Sequence, residues 1–310
     1  MIRYSSSVAL YPPAKINLVL KVLDRLSTGY HQIWSLMQTV GLEDELLLSL
    51  NPDSRSITLH CDGWVGAPGR ENLVHRAAQS MLEASGIHVG LNIRLKKRIP
   101  VAAGLGGGSS DAAATLIGLN HLLALQWPTA RLCEVGRKLG SDIPFFFFAP
   151  SARVSGWGEK VSPFTLVGGR WIVLVYPGFP ISTTAAYAQL DAARTYVPSL
   201  PAWCRSFDES PVVDWDTLLP LMVNDFEPHV YARYPALLRI KTTLLEAGAQ
   251  AALLSGSGAT VFGVFRDEAG ARAAQQTLGC QANWRVYVVP TRSSPLVPET
   301  PRSSSGREAL

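Results

Sequence analysis

Pro100 to Ala114 reads PVAAGLGGGSSDAAA, and the rest of the chain is best understood from it. Gly104, Gly106, Gly107 and Gly108 put four glycines into five positions, and Ser109, Ser110, Asp111 and an alanine run follow directly. Glycine admits positive φ and lets a ligand approach the backbone, while the start of a helix leaves N–H groups without intrahelical partners. The stretch therefore predicts a loop that enters a helix at a seat for phosphate. The plain alternative, a flexible loop with a helix cap, leaves unexplained why so costly a backbone segment adjoins a good helix. A Walker A loop needs Gly-Lys-Ser/Thr at its end, and no lysine precedes these serines. A strict G-x-G-x-x-G also fails, because counting from Gly104 its last position is Ser109. Asp111 falls in the first turn of the expected helix, where the dipole favours a carboxylate whatever else it does.

Just upstream, Lys96, Lys97 and Arg98 form the one dense basic run, better suited to phosphate than to a DNA surface. A net charge of +4 over 310 residues does not indicate a nucleic-acid partner, and 47% apolar with 17% charged residues is a globular composition with room for two domains. Cys61, Cys133, Cys204 and Cys280 are scattered, with no C-x-x-C and no histidines at metal-ligand spacing, as for ordinary thiols in a reducing compartment. MIRYSSSVALYPP has no apolar core of signal-peptide length, and the longest apolar runs fall far short of the ~20 residues that span a bilayer. A cytoplasmic protein without membrane or nucleic-acid partners is expected.

Upstream of the basic run, residues 1–9 read as a loose lead-in. KINLVLKV from Lys15 alternates, so Ile16, Leu18, Leu20 and Val22 face one way and Lys15, Asn17, Val19 and Lys21 the other. Lys15 and Asn17 thus stand side by side on a strand, either as a solvated face or as a polar pair for a ligand. In DRLSTGYHQI, Thr28-Gly29 is a turn that presents Tyr30 and His31 together, able to hold a flat ligand or simply to fill a loop. Strands over 38–50 and 56–60, a helix over 71–84 and a strand over 88–94 complete the lead to the glycine loop.

Downstream, a helix from Thr129 to Leu139 ends at Gly140, and Asp142 follows between that helix end and an apolar strand of four phenylalanines. There it serves either as a proton acceptor in a poorly solvated pocket or as a turn hydrogen bonder. A strand over 171–176, a helix over 183–193, a patternless proline-rich connection over 198–216, helices around 224–247, strands on either side of Ser255-Gly256-Ser257-Gly258, a helix over 268–278 and a strand over 285–289 suggest a split βαβ sandwich. Residues 291–310, rich in Ser, Pro and Arg, read as a disordered tail.

PAKINLVLKV, DRLSTGYHQI, PVAAGLGGGSSDAAA, LGSDIPFF and LSGSGATVF, in this order, resemble the successive motifs of the GHMP small-molecule kinases. The resemblance runs from about Pro13 to about Val289. It implies a two-domain α/β (α+β) fold, with an ATP-binding domain over 10–165, a split βαβ, ferredoxin-like domain over 166–290, and the active site in the cleft between them. It implies ATP as phosphate donor, with Mg2+ bridging the phosphates. Nucleotide contacts would come from Lys97, Pro100, Gly104, Leu105, Gly106, Gly107, Gly108, Ser109 and Ser110. Lys15 and Asp142 match the catalytic lysine and aspartate, the aspartate taking the proton of an alcohol acceptor. Asn17, Tyr30, His31 and Tyr187 match acceptor-binding positions.

The GYH segment and the triple glycine point within the family to a small-molecule acceptor of the non-mevalonate isoprenoid route, a methylerythritol carrying a cytidine diphosphate and phosphorylated on its 2-hydroxyl. Its cytosine would lie between Tyr30 and Tyr187. A homoserine or mevalonate-type kinase, or a nucleotide-binding sensor without catalysis, is the alternative. Magnesium ligands are not identifiable beyond Ser109, Ser110 and Asp111 as candidates, and the chain is expected as a monomer or weak homodimer. Trp157, in the turn GWGE, is a bulky residue that would reshape one wall of the acceptor pocket.

Overall fold

The computed structural model describes residues 7–27, 29–63, 69–196, 198–279 and 284–300; Thr28, Cys280 and residues 1–6 and 301–310, where parts of the expected turn, lead-in and tail fall, lie outside the described residues. The first lobe comprises β1 (Ser7–Leu10), β2 (Pro13–Arg25), β3 (His31–Glu43), β4 (Glu45–Asn51), β5 (Ile57–Asp62), α1 (Leu73–Ser85), β6 (Gly90–Lys96), α2 (Gly107–Leu122), α3 (Thr129–Gly136), α4 (Phe145–Phe148), β7 (Ser151–Gly156) and β8 (Lys160–Pro163). The chain continues through β9 (Thr165–Val167), β10 (Trp171–Tyr176), α5 (Thr183–Ala193), α6 (Ala202–Glu209), β11 (Val212–Asp214), α7 (Trp215–Leu218), β12 (Val223–Asn224), α8 (Glu227–Arg233), α9 (Pro235–Glu246), β13 (Ala251–Leu254), β14 (Val261–Phe265), α10 (Glu268–Leu278) and β15 (Arg285–Pro290).

Among the described residues the strands form one sheet in the order β1-β4-β6-β5, a second in the order β12-β2-β3-β7-β8, and a third in the order β13-β14-β10-β15, with β9 and β11 paired apart. The third sheet, with its two helices α9 and α10, has the split βαβ order. Ile16 and Leu18 of β2 and Trp34 and Leu36 of β3 meet Ile172 and Leu174 of β10 and Phe262 and Val264 of β14, so the second and third sheets share a core. Leu20, Val22 and Met37 belong to the larger core built on α1, α2 and the first sheet. Each such fully buried side chain contributes about 1.5–3 kcal/mol. Helix ends follow local chemistry: Asn72 accepts from the Val74 N–H to open α1, and Gly86, at φ 68°, closes it.

Several expectations are corrected. The alternation of β2 does not run unbroken, because the register slips between Asn17 and Val19, opposite Met37 and Leu36. This β-bulge turns Leu20 to the same cleft as Lys15 and Asn17, and sends Val19 into the core with Ile16 and Leu18. The four phenylalanines form the helical turn α4, started by Pro144, instead of a strand; a short apolar run has no period of its own to choose between the two. Of the expected lead-in, residues 7–9 lie in β1, paired with β4. The 198–216 connection carries α6 and β11, and places Trp203 and Phe207 against Trp34.

The expected division at residue 165/166 falls inside β9, and β12 from the second half joins the first half's sheet beside β2. Nor are residues 291–300 a loose tail. Thr291 bridges Val40, Arg292 pairs with Glu43, Leu296 is buried, and Glu299 exchanges backbone hydrogen bonds with Ala9. Their composition is polar, but the backbone is satisfied by strand edges far away in the sequence.

Candidate active site

β2, the glycine loop, α5 and the turn after α3 converge on a cleft of about 850 Å³. Lys15 lies at its base, 4% exposed. Its backbone N–H donates to the Leu105 carbonyl at 2.9 Å, which fastens the strand to the loop. Its ammonium donates to Asn17 Oδ1 at 2.6 Å, and Asn17 Nδ2 donates to Ser35 Oγ at 2.8 Å, which in turn donates to the Val19 carbonyl at 2.6 Å. This relay leaves Asn17 one orientation, since lysine offers only donors. Asp142 Oδ2 lies 3.7 Å from Lys15 Nζ, beyond direct hydrogen bonding, and its side chain is one-third exposed. Burial pulls Lys15 below the ordinary lysine range, against the pull of Asp142. The pair is close and open to the cleft.

Above the lysine, α2 begins at Gly106, which stands at φ 67° and caps the helix without any side-chain bond. The first N–H groups are therefore left for a ligand, and the helix dipole favours an anion there. Glycine is required by space as much as by φ: a Cβ on Gly106 would come within 2.9 Å of Lys15 Cγ, and one on Gly104, at φ 78°, within 2.0 Å of the Ser255 carbonyl. The loop is gripped from the other lobe. Ser255 Oγ donates to the Gly104 carbonyl at 2.9 Å, and the Thr260 N–H to that of Ala103 at 3.1 Å.

Of the expected nucleotide positions, Lys97, Pro100, Gly104, Gly106, Gly107, Gly108 and Ser109 line the cleft. Leu105 and Ser110 turn into the core instead, and Ser110 Oγ is buried with no hydrogen-bond partner. Asp111 does not act on the helix start. It reaches Lys97 at 2.7 Å, and Lys97 is also held by Asp44, whose second oxygen accepts from the backbone N–H of Arg98 and Ile99 at 2.5 and 2.9 Å. Burial alone would lower Lys97, but the two carboxylates outweigh it and hold it above the usual lysine range. Burial, seconded by Asp44 and opposed by Lys97, pushes Asp111 up to about 8.

On the far side, Tyr30, His31, Trp157, Tyr187 and Asp191 line the cleft together. His31 Nε2 is 2.7 Å from Asp191 Oδ1, and its ring stacks on Tyr187 at 4.5 Å and 17°. Tyr187 meets the edge of Phe226 at 4.9 Å, and its phenol is pushed up by burial. Tyr30, 58% exposed, leans on Trp157 at 5.5 Å. All of Lys15, Asn17, Tyr30, His31, Asp142 and Tyr187 thus come to one cavity. Asp44 and Asp191 were missed from sequence: the first lies 53 residues from its lysine and the second 160 from its histidine, and neither belongs to a local motif. No group of three or more His, Cys, Asp or Glu among the described residues is placed to hold a metal by itself, and no helix among them is long and apolar enough to cross a membrane.

A family model described as the GHMP kinases N terminal domain matches residues 72–149, and one described as GHMP kinases C terminal matches 211–283. The 4-diphosphocytidyl-2-C-methyl-D-erythritol kinase of Syntrophotalea carbinolica is 42% identical over 279 residues, covering 89% of this chain and 96% of that protein. The kinase of the same name from Geobacter metallireducens is 41% identical, over 91% of this chain and 98% of its own. A crystal structure of 4-(cytidine 5'-diphospho)-2C-methyl-D-erythritol kinase superposes with a TM-score of 0.72 at 32% identity, covering 91% of this chain and 98% of the other. Homoserine kinase from Cytophaga hutchinsonii, at 19% identity and a TM-score of 0.69 over 96% and 98% of the two chains, shares the fold.

Proposed function

This chain belongs to the GHMP kinase family, and on that premise we propose that it transfers the terminal phosphoryl group of ATP to the 2-hydroxyl of 4-diphosphocytidyl-2-C-methyl-D-erythritol, a step of the non-mevalonate isoprenoid route. The observation that carries the reading is the Lys15–Asp142 pair, 3.7 Å apart at the junction of a glycine-lined helix start and an aromatic arm. The helix start seats the phosphates, and the arm of Tyr30, His31 and Tyr187 seats the cytidine end. With His31 already stacked on Tyr187, the cytosine lies against the exposed face of Tyr30 and meets the His31–Tyr187 stack as its opposite wall.

In the reaction Asp142 accepts the proton of the 2-hydroxyl. The oxygen forms its bond to the γ-phosphorus while the bond to the β–γ bridging oxygen breaks, and ADP leaves. Lys15, its charge shared with Asn17 and Asp142, stabilises the negative oxygen as it develops. The protein's part is alignment and charge compensation, which suits a phosphoryl transfer. General-base catalysis of this kind is worth roughly 10²- to 10⁴-fold.

Magnesium fits the site on limited terms. Ser110 is shut in the core and one oxygen of Asp111 is engaged by Lys97, which leaves Ser109 and the second oxygen of Asp111 as side-chain oxygens near the helix start. Mg2+ accepts such a site because it keeps several waters and takes its other ligands from the phosphates. When bound it neutralises phosphate charge.

An ATP-consumption assay tests the reading with the cytidylylated methylerythritol and with homoserine as acceptors. Turnover of the first and not of the second is expected. Folded protein that turns over only homoserine, or neither, overturns it.

A further inference from the structure

The short strand β12 carries no residue of the cleft, yet Asn224 on it holds the turn that borders the cleft's centre. The residue is 2% exposed. Nδ2 donates to the carbonyls of Leu254 and Gly256 at 2.7 and 2.8 Å, and Oδ1 accepts from the Phe226 N–H at 2.9 Å. Two donations and one acceptance from a single planar group is a set that only a carboxamide of this length supplies; a carboxylate has no hydrogens to give and a hydroxyl has one.

The two carbonyls lie at the end of β13 and within the turn Ser255–Gly258 that follows it, and this turn reaches the site in three directions. Ser255 Oγ holds the Gly104 carbonyl of the phosphate loop at 2.9 Å. A methyl built on Gly256 would stand 3.4 Å from Lys15 Nζ and 3.3 Å from that same carbonyl oxygen, so the turn lies directly against the lysine and the loop. Ser257 Oγ is 2.9 Å from Thr183 Oγ1, in the first residue of α5, the helix that presents Tyr187 and Asp191. The third partner of Asn224, the Phe226 N–H, belongs to the residue whose ring supports Tyr187.

Neighbours on the same segment pin it in turn. Asp225 holds Lys21 and the Val22 N–H of β2 at 2.6 and 2.9 Å, and Glu227 accepts from the Leu254 N–H at 2.9 Å. Asn224 therefore joins a fixed strand of the first lobe to a turn that is wedged between donor loop, lysine and acceptor helix.

We propose that Asn224 is a positioning residue for phosphoryl transfer, its carboxamide fixing the Ser255–Gly258 turn and with it the gap across which donor and acceptor meet. The inference rests on the reading of the cleft as a kinase site. Each substrate keeps its own walls without Asn224, but their mutual alignment is lost, and a displacement of about 1 Å from a residue remote from the chemistry can lower a rate by roughly 10²-fold.

The test compares wild type, Asn224→Ala and Asn224→Asp in steady-state turnover, in calorimetric titration with ADP, and in thermal melts. Asn224→Ala is expected to lower kcat about 100-fold, with ADP affinity and acceptor KM within threefold of wild type. Asn224→Asp keeps the shape and loses both donors, so it is expected to be slow at pH 8 and to regain activity relative to wild type as pH falls, when a protonated carboxyl can again donate to one carbonyl. A merely structural role does not produce that rise.

Folded Asn224→Ala with kcat within threefold of wild type, or a loss confined to ADP affinity and melting temperature, overturns the proposal. So does a flat ratio of Asn224→Asp to wild type across pH. Should Asn224→Ala not fold, Ser255→Ala removes the opposite anchor of the same turn: a kcat about tenfold down supports the proposal and an unchanged kcat overturns it. All ratios are taken with whichever alcohol the wild-type enzyme phosphorylates. A wrong acceptor therefore shows in the wild type, and a wrong role for Asn224 in the ratios.

Discussion

Lys15 and Lys97 line the same cleft and are both buried, yet the surroundings make different groups of them. Lys15 has one carboxylate at 3.7 Å, itself partly solvated, and burial lowers its affinity for the proton. Lys97 is clasped by two carboxylates that are almost fully buried, and they overcome the same burial and raise it. Burying an ammonium is costly in either case, and what separates the two is how completely the charge is compensated within the fold. A lysine with a full set of partners is framework. One with a distant, half-open partner has charge to offer an oxygen that becomes negative during the reaction.

The largest expected effect falls on the partner of the open lysine. Asp142→Ala should lower kcat by about 10²- to 10⁴-fold, with ADP affinity in a calorimetric titration nearly unchanged; a variant with wild-type turnover removes the base from this side of the comparison. Next come the two lysines themselves. Lys97→Met leaves Asp44 and Asp111 unpaired in the interior, and urea denaturation should register a loss of about 3–5 kcal/mol. Lys15→Met removes a poorly compensated buried cation, so the same measurement should show stability held or gained while turnover collapses. Equal destabilisation by the two would erase the distinction.

A smaller effect comes from a residue that belongs to neither lysine. Tyr30→Ala should raise the acceptor KM by the equivalent of about 1–3 kcal/mol of base stacking, leaving kcat and the melting temperature in place. The smallest is a pH dependence. Burial raises Asp111 above its ordinary 3.8 against the pull of Lys97, so the folded chain takes up this proton at a higher pH than the unfolded chain does. Its contribution to stability is full below the unfolded value and is lost as pH rises through the folded one. Asp111→Asn should therefore gain stability on the wild type between pH 4 and pH 8, measured as the difference between their urea midpoints at each pH.

The same contrast governs what could be read from the sequence. Lys15 and Asn17 are two apart on a strand, so their adjacency is local geometry, and their hydrogen bond at 2.6 Å follows from it. The helix start at the glycine loop is equally local. That Lys97 is engaged by Asp44 depends on β4 and β6 lying side by side, a pairing set by the whole sheet and visible in no window of residues. The bulge after Asn17 depends on β3 opposite, and it overruled an alternation that looked regular. Residues 291–300 show the limit most plainly. Serines, prolines and arginine carry no period, yet Leu296 finds the core and Glu299 finds the edge of β1.

The grip of Ser255 on the Gly104 carbonyl bears on how such a molecule can change over generations. Where the loop meets the opposite lobe, it is read through carbonyl oxygens and through volume that is kept empty, as at Gly104, where an added Cβ would meet the Ser255 carbonyl at 2.0 Å. The loop brings only backbone atoms to this joint, so its partners recognise no side chain of Gly104, and the fit lasts as long as Ser255 keeps its hydroxyl and the bare positions stay bare. The mating surfaces behave like a mortise whose fit is inherited with the chain's path, leaving the acceptor arm open to revision for other alcohols.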